Sequence, residues 1–499
     1  MDFLFYREDS PLLFTQAIFW IFFTIVLIVY QFLYSKINLR NHFLMWVSMY
    51  FYYLTGGYFF TLLVFSTLVD YFIGKKIYET DSQKLKKQLV FLSVFVNLAV
   101  LAYFKYTYFF VDGLNFLFET DFQASNFLSV LSNEIADTEF NIHKIILPVG
   151  ISFYTFQTIS YSVDIYRGQL KPVKSMADFA FFVSFFPQLV AGPIVRASDF
   201  IPQIYEEYKL SEQEFGRAIF LIINGLIKKI LISDYLSTNF VDRVFSDPNA
   251  YSGFENLTAV YGYSIQIYCD FSGYTDIAIG LSLLLGFRLP INFNSPYKSL
   301  NITEFWRRWH ISLSSWLRDY LYISLGGNRH GKFKTYLFLF TTMLLGGLWH
   351  GASVRFIIWG ALHGIALAVH KWWLEIYPKA IDNQRDKIIS GFITFHFVAF
   401  CWIFFRAEDM QKVGDILSNI LFNFRADLIA EVLFSYKNIF AVMILGYGVH
   451  WLPSEWKIEI ARRFNFLPDL TKAIVIVGII LMLFQIRTSE IQPFIYFQF

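Results

Sequence analysis

Charge is scarce in this chain. Of its 499 residues, only 16% are Asp, Glu, Lys or Arg, against about a quarter in an ordinary soluble domain. That is too little polar material to coat a water-facing surface, so an ordinary soluble globule is excluded. The charge present nearly balances, at +2, and no excess of one sign marks a nucleic-acid partner. Cysteine is almost missing too. Cys269 and Cys401 both lie in apolar runs, with no C-x-x-C pair, which argues against a disulfide framework or a zinc ribbon and for small buried thiols. There is no P-loop, G-x-G-x-x-G or G-x-S-x-G, and none of the nine histidines forms H-E-x-x-H. Nucleotide-driven pumps, serine esterases and compact metal sites lack their usual signatures, so no metal or bound cofactor is expected.

What the chain has is apolar and aromatic: 56% hydrophobic residues, 21% Phe, Tyr or Trp, and a mean hydropathy of +0.46. Apolar segments recur at 12–35, 42–54, 57–73, 89–111, 145–162, 216–236, 256–285, 333–351, 354–372, 388–405, 434–452 and 472–487. The fold class expected is all-α: a polytopic membrane bundle of 11–12 transmembrane helices, in one domain spanning 1–499. Some segments are short for a straight span, and 42–54 with 57–73 reads as a hairpin broken at Gly56-Gly57. The stretch Leu12–Tyr34 is read as a retained first helix. Asp2, Glu8 and Asp9 outnumber Arg7 before it, unlike the basic start of a cleaved signal peptide.

Loop charges alternate in sign. Lys75, Lys76, Lys84, Lys86 and Lys87 place their loop in the cytoplasm, whereas Asp112, Glu119, Asp121, Glu134, Asp137 and Glu139 face outside. Carried along the chain, the rule gives twelve crossings with both termini extracytoplasmic, provided that 179–195, broken by Pro187, Gly192 and Pro193, is re-entrant.

The segment 301–325 cannot simply span. Arg307, Arg308, Arg318 and Asp319 each cost about 3 kcal/mol at the bilayer centre, so it is expected at the cytoplasmic interface or in a protein-lined funnel. Asn301 followed by Glu304 resembles a capping box. Continuous helical spacing from there puts Trp306, His310, Leu313 or Ser314, and Leu317 on one face. Trp306, Trp309 and Trp316 suit interfacial depth.

The strongest candidate for chemistry is His350, in LGGLWHG (345–351). A histidine in an apolar span needs a partner or a task, and Gly346, Gly347 and Gly351 leave room beside it for a ligand or for another helix. His310 is a second candidate, or else an interfacial histidine among arginines and tryptophans. His363 and His370, seven apart, suit hydrogen bonding between helices. Asp270 and Asp276 lie within another apolar span, either as ion or proton ligands or as structural caps.

The runs PVGISFYTFQTISYSVDIYRG (148–168), YCDFSGYTDIAIGLSLLLGFRLPINFNSPYKSLNITEFWRRWHISLSSWLRDYLYISLGGNR (268–329) and LLGGLWHGAS (344–353) closely resemble the membrane-bound O-acyltransferase (MBOAT) family. The nearest branch is that of the bacterial alginate O-acetyltransferases, with a D-alanine transferase branch further off. Similarity is dense from 145 to 365, residues 1–140 match mainly in hydropathy, and in the C-terminal part, 388–499, the ending PFIYFQF also looks like that branch. The resemblance implies a bundle with a central tunnel, in the bacterial cytoplasmic (inner) membrane. It implies transfer of an acyl group, by analogy acetyl, from acetyl-CoA or an acyl carrier to a hydroxyl acceptor outside the cytoplasm. That acceptor is an exopolysaccharide, peptidoglycan, a lipid-linked sugar or a partner protein such as a periplasmic SGNH-type acyltransferase. The family's invariant histidine falls on His350 and its second recurrent histidine on His310. Trp349, Trp306, Arg307, Arg308, Ser314, Arg318 and Asp319 are the expected substrate-binding residues. One departure is visible: Val354 and Arg355 stand where members often carry an aromatic residue, which leaves the acceptor end of the tunnel open to question. A polysaccharide or lipid transporter, and a non-catalytic scaffold for a separate acyltransferase, are the competing readings.

Overall fold

The computed structural model describes residues 5–7, 11–136, 138–189, 192–377, 383–486 and 494–495. Asp2, Glu8, Asp9 and Asp137, and all of PFIYFQF except Phe494 and Ile495, lie outside the described residues. The described chain is helical, with no strand among the described residues. In lipid every backbone polar group must be satisfied within the protein, and helices do that segment by segment.

By length and composition, four helical runs among the described residues suffice to cross a membrane: Ile37–Glu79, Gln83–Phe118, Gln384–Arg406 and Asp469–Ile486. A fifth is added if Ala426–Ser435 and Lys437–Trp451, bent by 85° from one another, make one broken span. The first of these runs turns back on itself, as its Gly56-Gly57 pair suggested. Gly57 has φ of +61°, a conformation open to glycine. The far ends of both arms then meet the same neighbours. Arg40 donates to the carbonyls of Ile204 (2.7 Å) and Glu206 (2.9 Å). The intervening Tyr205 hydroxyl accepts from Lys174 N at 3.0 Å, Val173 N donates to Tyr161 at 3.4 Å, and Tyr161 packs against Gly74.

The same contacts draw together the two ends of the stretch read as re-entrant. The helix Met176–Ser184 breaks at Phe185 and resumes over Phe186–Leu189; residues 190–191 lie outside the described residues, and the chain returns through Ala197–Ile204. Lys174 and Tyr205, at the two ends, are hydrogen-bonded to each other, so entry and exit share one side. Phe181, Phe182, Phe185 and Phe186 are fully enclosed by protein. Non-helical backbone survives at this depth for that reason.

At the centre runs Gly253–Leu284, buried along nearly its whole length and started by a capping box between Ser252 and Glu255. A helix apolar on all faces belongs inside a core. Its two interior carboxylates, Asp270 and Asp276, are neutralised by successive lysines of the preceding helix, where a π-helical stretch, Ile227–Asp234, turns both inward. Lys229 meets Asp270 at 2.5 Å and Asp234 at 2.7 Å, and Lys228 meets Asp276 at 2.7 Å. Asp270 and Asp276 therefore pin two helices together. The helix runs through both positions without loosening.

The segment 301–325 departs from the continuous helix expected. It divides into Ile302–Arg308, Ile311–Trp316, a π-helical turn Leu317–Tyr322 and Ile323–Leu325. Asn301 does cap it, accepting from Glu304 N at 2.8 Å, while the Glu304 carboxylate reaches Leu300 N rather than Asn301 N. The break comes at His310, which is left-handed (φ 43°, ψ 54°). Asn292 causes it by supplying acceptors that a continuous helix would have found in its own turns. Its carbonyl takes Ile311 N at 2.9 Å and its side-chain oxygen takes Ser312 N at 3.1 Å. Trp306, His310, Leu313 and Leu317 thus do not form the single helical face that their spacing predicts.

Candidate active site

The helix Lys332–His350 ends at its histidine, because Gly351 is extended (φ −169°) and a side chain there would strike Phe356. The next helix, Val354–Ile376, folds back against it along a seam of glycines. A Cβ on Gly347 would meet the Phe356 carbonyl and lie 3.0 Å from Gly360 Cα, and one on Gly364 would lie 3.0 Å from Phe340 Cα. This approach brings Trp359 and His363 beside His350, with ring centroids 5.0 Å apart for His350–Trp359 and 4.8 Å for Trp359–His363. The Phe405 ring, 5.1 Å from His350, encloses it from the Gln384–Arg406 helix.

His350 is 3% exposed and His310 0%. The structure brings both onto the indole of Trp349, at centroid distances of 4.9 Å and 6.3 Å. Trp349 is itself stacked on Phe156 (5.3 Å), and Phe156 on Trp316 (3.8 Å). His310 is oriented by the residue that breaks its helix: Nδ1 lies 3.1 Å from Asn292 Oδ1. Because Oδ1 also accepts from Ser312 N, it is an acceptor, so Nδ1 is the donor and Nε2 of the neutral ring carries the lone pair. Ser312 extends this network to the re-entrant element, accepting from Ile194 N at 3.0 Å.

Between the broken segment and the two helices of the glycine seam lies a cavity of about 760 Å³, and neither His310, His350 nor Trp349 is among its lining residues. Leu317, Leu339, Met343, Leu367 and Leu374 give it an apolar body, while Arg307, Arg318, His370 and Lys371 supply basic groups. Among the described residues that line it there is no carboxylate. Trp306 joins cavity to cage: it lines the former and donates from Nε1 to His363 Nδ1 at 3.3 Å. His370 hydrogen-bonds Thr303 at 2.8 Å. Both histidines of the seven-residue pair thus bridge helices, as their spacing suggested.

Of the seven expected substrate-binding residues, Trp306, Arg307, Ser314 and Arg318 line this cavity. Arg308 instead pairs with Glu304 (2.8 Å) and donates to the Asn294 carbonyl. Asp319 pairs with Arg196 and Arg318, both at 2.6 Å. Trp349 sits between the two candidate histidines. Sequence reasoning missed Asn292, Trp359 and Phe405, whose roles depend on tertiary contacts alone. It also passed over Lys105, although a lone cation inside the apolar run 89–111 was a visible signal. Among the described residues, no cluster of His, Cys, Asp and Glu is arranged to hold a metal ion.

A polytopic helical membrane protein with two histidines buried around one tryptophan, and with an apolar cavity that carries basic groups, is the class that these features define. The chain belongs to the membrane-bound O-acyltransferase family, in the branch of bacterial O-acetylases similar to AlgI, and is an O-acyltransferase. The family profile matches residues 170–407. The chain is 38% identical over 481 residues to the probable alginate O-acetylase AlgI of Pseudomonas putida, covering 92% of this chain and 94% of that one. It is 38% identical to the peptidoglycan O-acetyltransferase of Helicobacter pylori, over 75% of this chain and 72% of that one. The teichoic acid D-alanyltransferase of Bacillus subtilis is 32% identical, over 53% of this chain and 70% of that one.

Proposed function

We propose that this enzyme takes an acetyl group from a cytoplasmic thioester, acetyl-CoA or an acyl carrier, and passes it to a hydroxyl acceptor outside the cytoplasmic membrane. The observation that carries the reading is the juxtaposition of His310 and His350 on Trp349, linked through Trp359 and Trp306 to a cavity that has basic groups and an apolar body. Such a cavity suits a donor with phosphates at one end and an acyl thioester at the other. The relatives are named for alginate, peptidoglycan and teichoic acid, which favours a cell-surface polymer as the final acceptor, reached directly or through a separate extracytoplasmic acyltransferase of SGNH type. The positive-inside pattern supports an inner-membrane protein with both termini outside.

In this mechanism His350 is the general base. It takes the proton of the acceptor hydroxyl as that oxygen bonds to the thioester carbonyl carbon. Collapse of the tetrahedral oxyanion breaks the C–S bond. The thiolate leaves with the proton returned by His350, which regenerates the neutral imidazole and releases a thiol and an O-acyl ester. His310, with Nε2 basic, orients the donor or relays the proton from the cytoplasmic side.

The test is acetyl transfer in membranes carrying the intact chain or His350→Ala at matched protein levels, with radiolabelled acetyl-CoA. Label in the extracytoplasmic fraction that disappears in the variant is the expected result. Full labelling by the variant would overturn His350 as base and favour a conduit or scaffold.

A further inference from the structure

Lys105 is a basic residue in the middle of a long apolar helix, Gln83–Phe118, where a cation is costly unless it has a fixed partner. Its partners are the last carbonyls of the helix that carries His350. Nζ donates to the Trp349 carbonyl at 2.6 Å and to the His350 carbonyl at 3.0 Å. The neighbouring Tyr106 hydroxyl donates to the Leu348 carbonyl at 2.7 Å. Nζ also lies 5.9 Å from the centre of the Trp349 ring. Three consecutive C-terminal carbonyls, which no further helical turn can satisfy, are thus taken up by two consecutive side chains of a different helix. The termination of the Lys332–His350 helix makes this possible, because the extended Gly351 leaves those oxygens facing outward from the last turn.

We infer that Lys105, assisted by Tyr106, is a positioning residue for the reaction: it clamps the end of the Lys332–His350 helix and so fixes where the His350 imidazole and the Trp349 indole stand. This rests on the reading of His350 as base. The clamp sets the axial position and the rotation of the terminal turn, and a displacement of about 1 Å at a reacting group costs as much as a hundredfold in rate. Lys105 touches the backbone of Trp349 and His350, not the cavity lining, so its effect falls on turnover rather than on donor binding.

The experiment compares the intact chain with Lys105→Met, Lys105→Arg, Tyr106→Phe and His350→Ala. Initial rates of transfer from radiolabelled acetyl-CoA are measured over a range of concentrations, with thermal unfolding followed in detergent. Lys105→Met is expected to lower kcat at least tenfold with KM for acetyl-CoA within twofold. Lys105→Arg, which restores donors to the carbonyls, is expected to return to within about threefold of the intact rate, and Tyr106→Phe to lose two- to fivefold. A Lys105→Met enzyme at full rate beside an inactive His350→Ala overturns the clamp and leaves the base in place. Full rate in His350→Ala overturns the base and the clamp together. Should Lys105→Met not accumulate as folded protein, the other two variants decide. Arginine as damaging as His350→Ala in a normally melting protein, or Tyr106→Phe at full rate, counts against the clamp, and the graded losses given above support it.

Discussion

Trp306 donates its indole N–H to His363 at 3.3 Å, and this bond joins the wall of the cavity to the aromatic cage around His350. The indole lines the cavity and stands T-shaped to Trp359, 5.8 Å away, which in turn meets His350. The cavity wall and the buried histidine are therefore linked through two side chains. Trp306→Phe keeps most of the ring and removes the bond, so a two- to tenfold fall in kcat is expected. Trp306→Ala also opens the wall and should raise KM for acetyl-CoA. Steady-state kinetics on the two variants separate these effects.

Asn292 holds His310 in its left-handed conformation and accepts from Ser312. Asn292→Ala strands the Ser312 N–H and lets the break relax. A destabilisation of about 1–3 kcal/mol follows from an unsatisfied buried donor, together with a loss of transfer larger than the loss of fold. Thermal unfolding in detergent, read beside the rate at a temperature where both proteins are folded, checks this.

The glycine seam makes a paired prediction. Gly347→Ala places a methyl against the Phe356 carbonyl and Gly360 Cα, both backbone. The two helices must separate, costing about 1–3 kcal/mol and moving Trp359 from His350. Gly346→Ala meets only the end of Leu317, at 3.3 Å, which a rotamer adjustment absorbs. Activity should be nearly lost in the first and kept within threefold in the second.

Arg307 and Lys371 line the cavity where phosphates of the donor are proposed to lie. Arg307→Gln with Lys371→Gln should raise KM for acetyl-CoA severalfold while kcat changes little, and the KM of the intact enzyme should rise with ionic strength more steeply than that of the variant. Equal salt dependence in the two proteins would place the phosphates elsewhere. Arg308→Gln, whose side chain is committed to Glu304 and Asn294, serves as a control with unchanged KM.

Composition and the recurring long apolar runs determined that this chain is a helical membrane protein, because a sequence so poor in charge has no other solvent than lipid and its own interior and runs of that length cross lipid as helices. Local chemistry went further. Gly56-Gly57 marked a turn, the broken stretch at 179–195 marked a re-entrant element, and LGGLWHG marked a histidine with unusual space around it. Each is a property of a few adjacent residues and their cost in a bilayer, so no distant contact was needed to read it. The tertiary structure alone decided the rest. Periodicity predicts a continuous helix through His310, and only Asn292, arriving from 18 residues earlier, supplies the competing acceptors that break it. Asp270 and Asp276 were ambiguous until Lys228 and Lys229 met them across a helix interface. Lys105 acquires its meaning from carbonyls more than 240 residues away. Long-range hydrogen bonds of this kind leave no periodic trace, because the spacing of residues along a helix encodes which face is buried but not what stands opposite it.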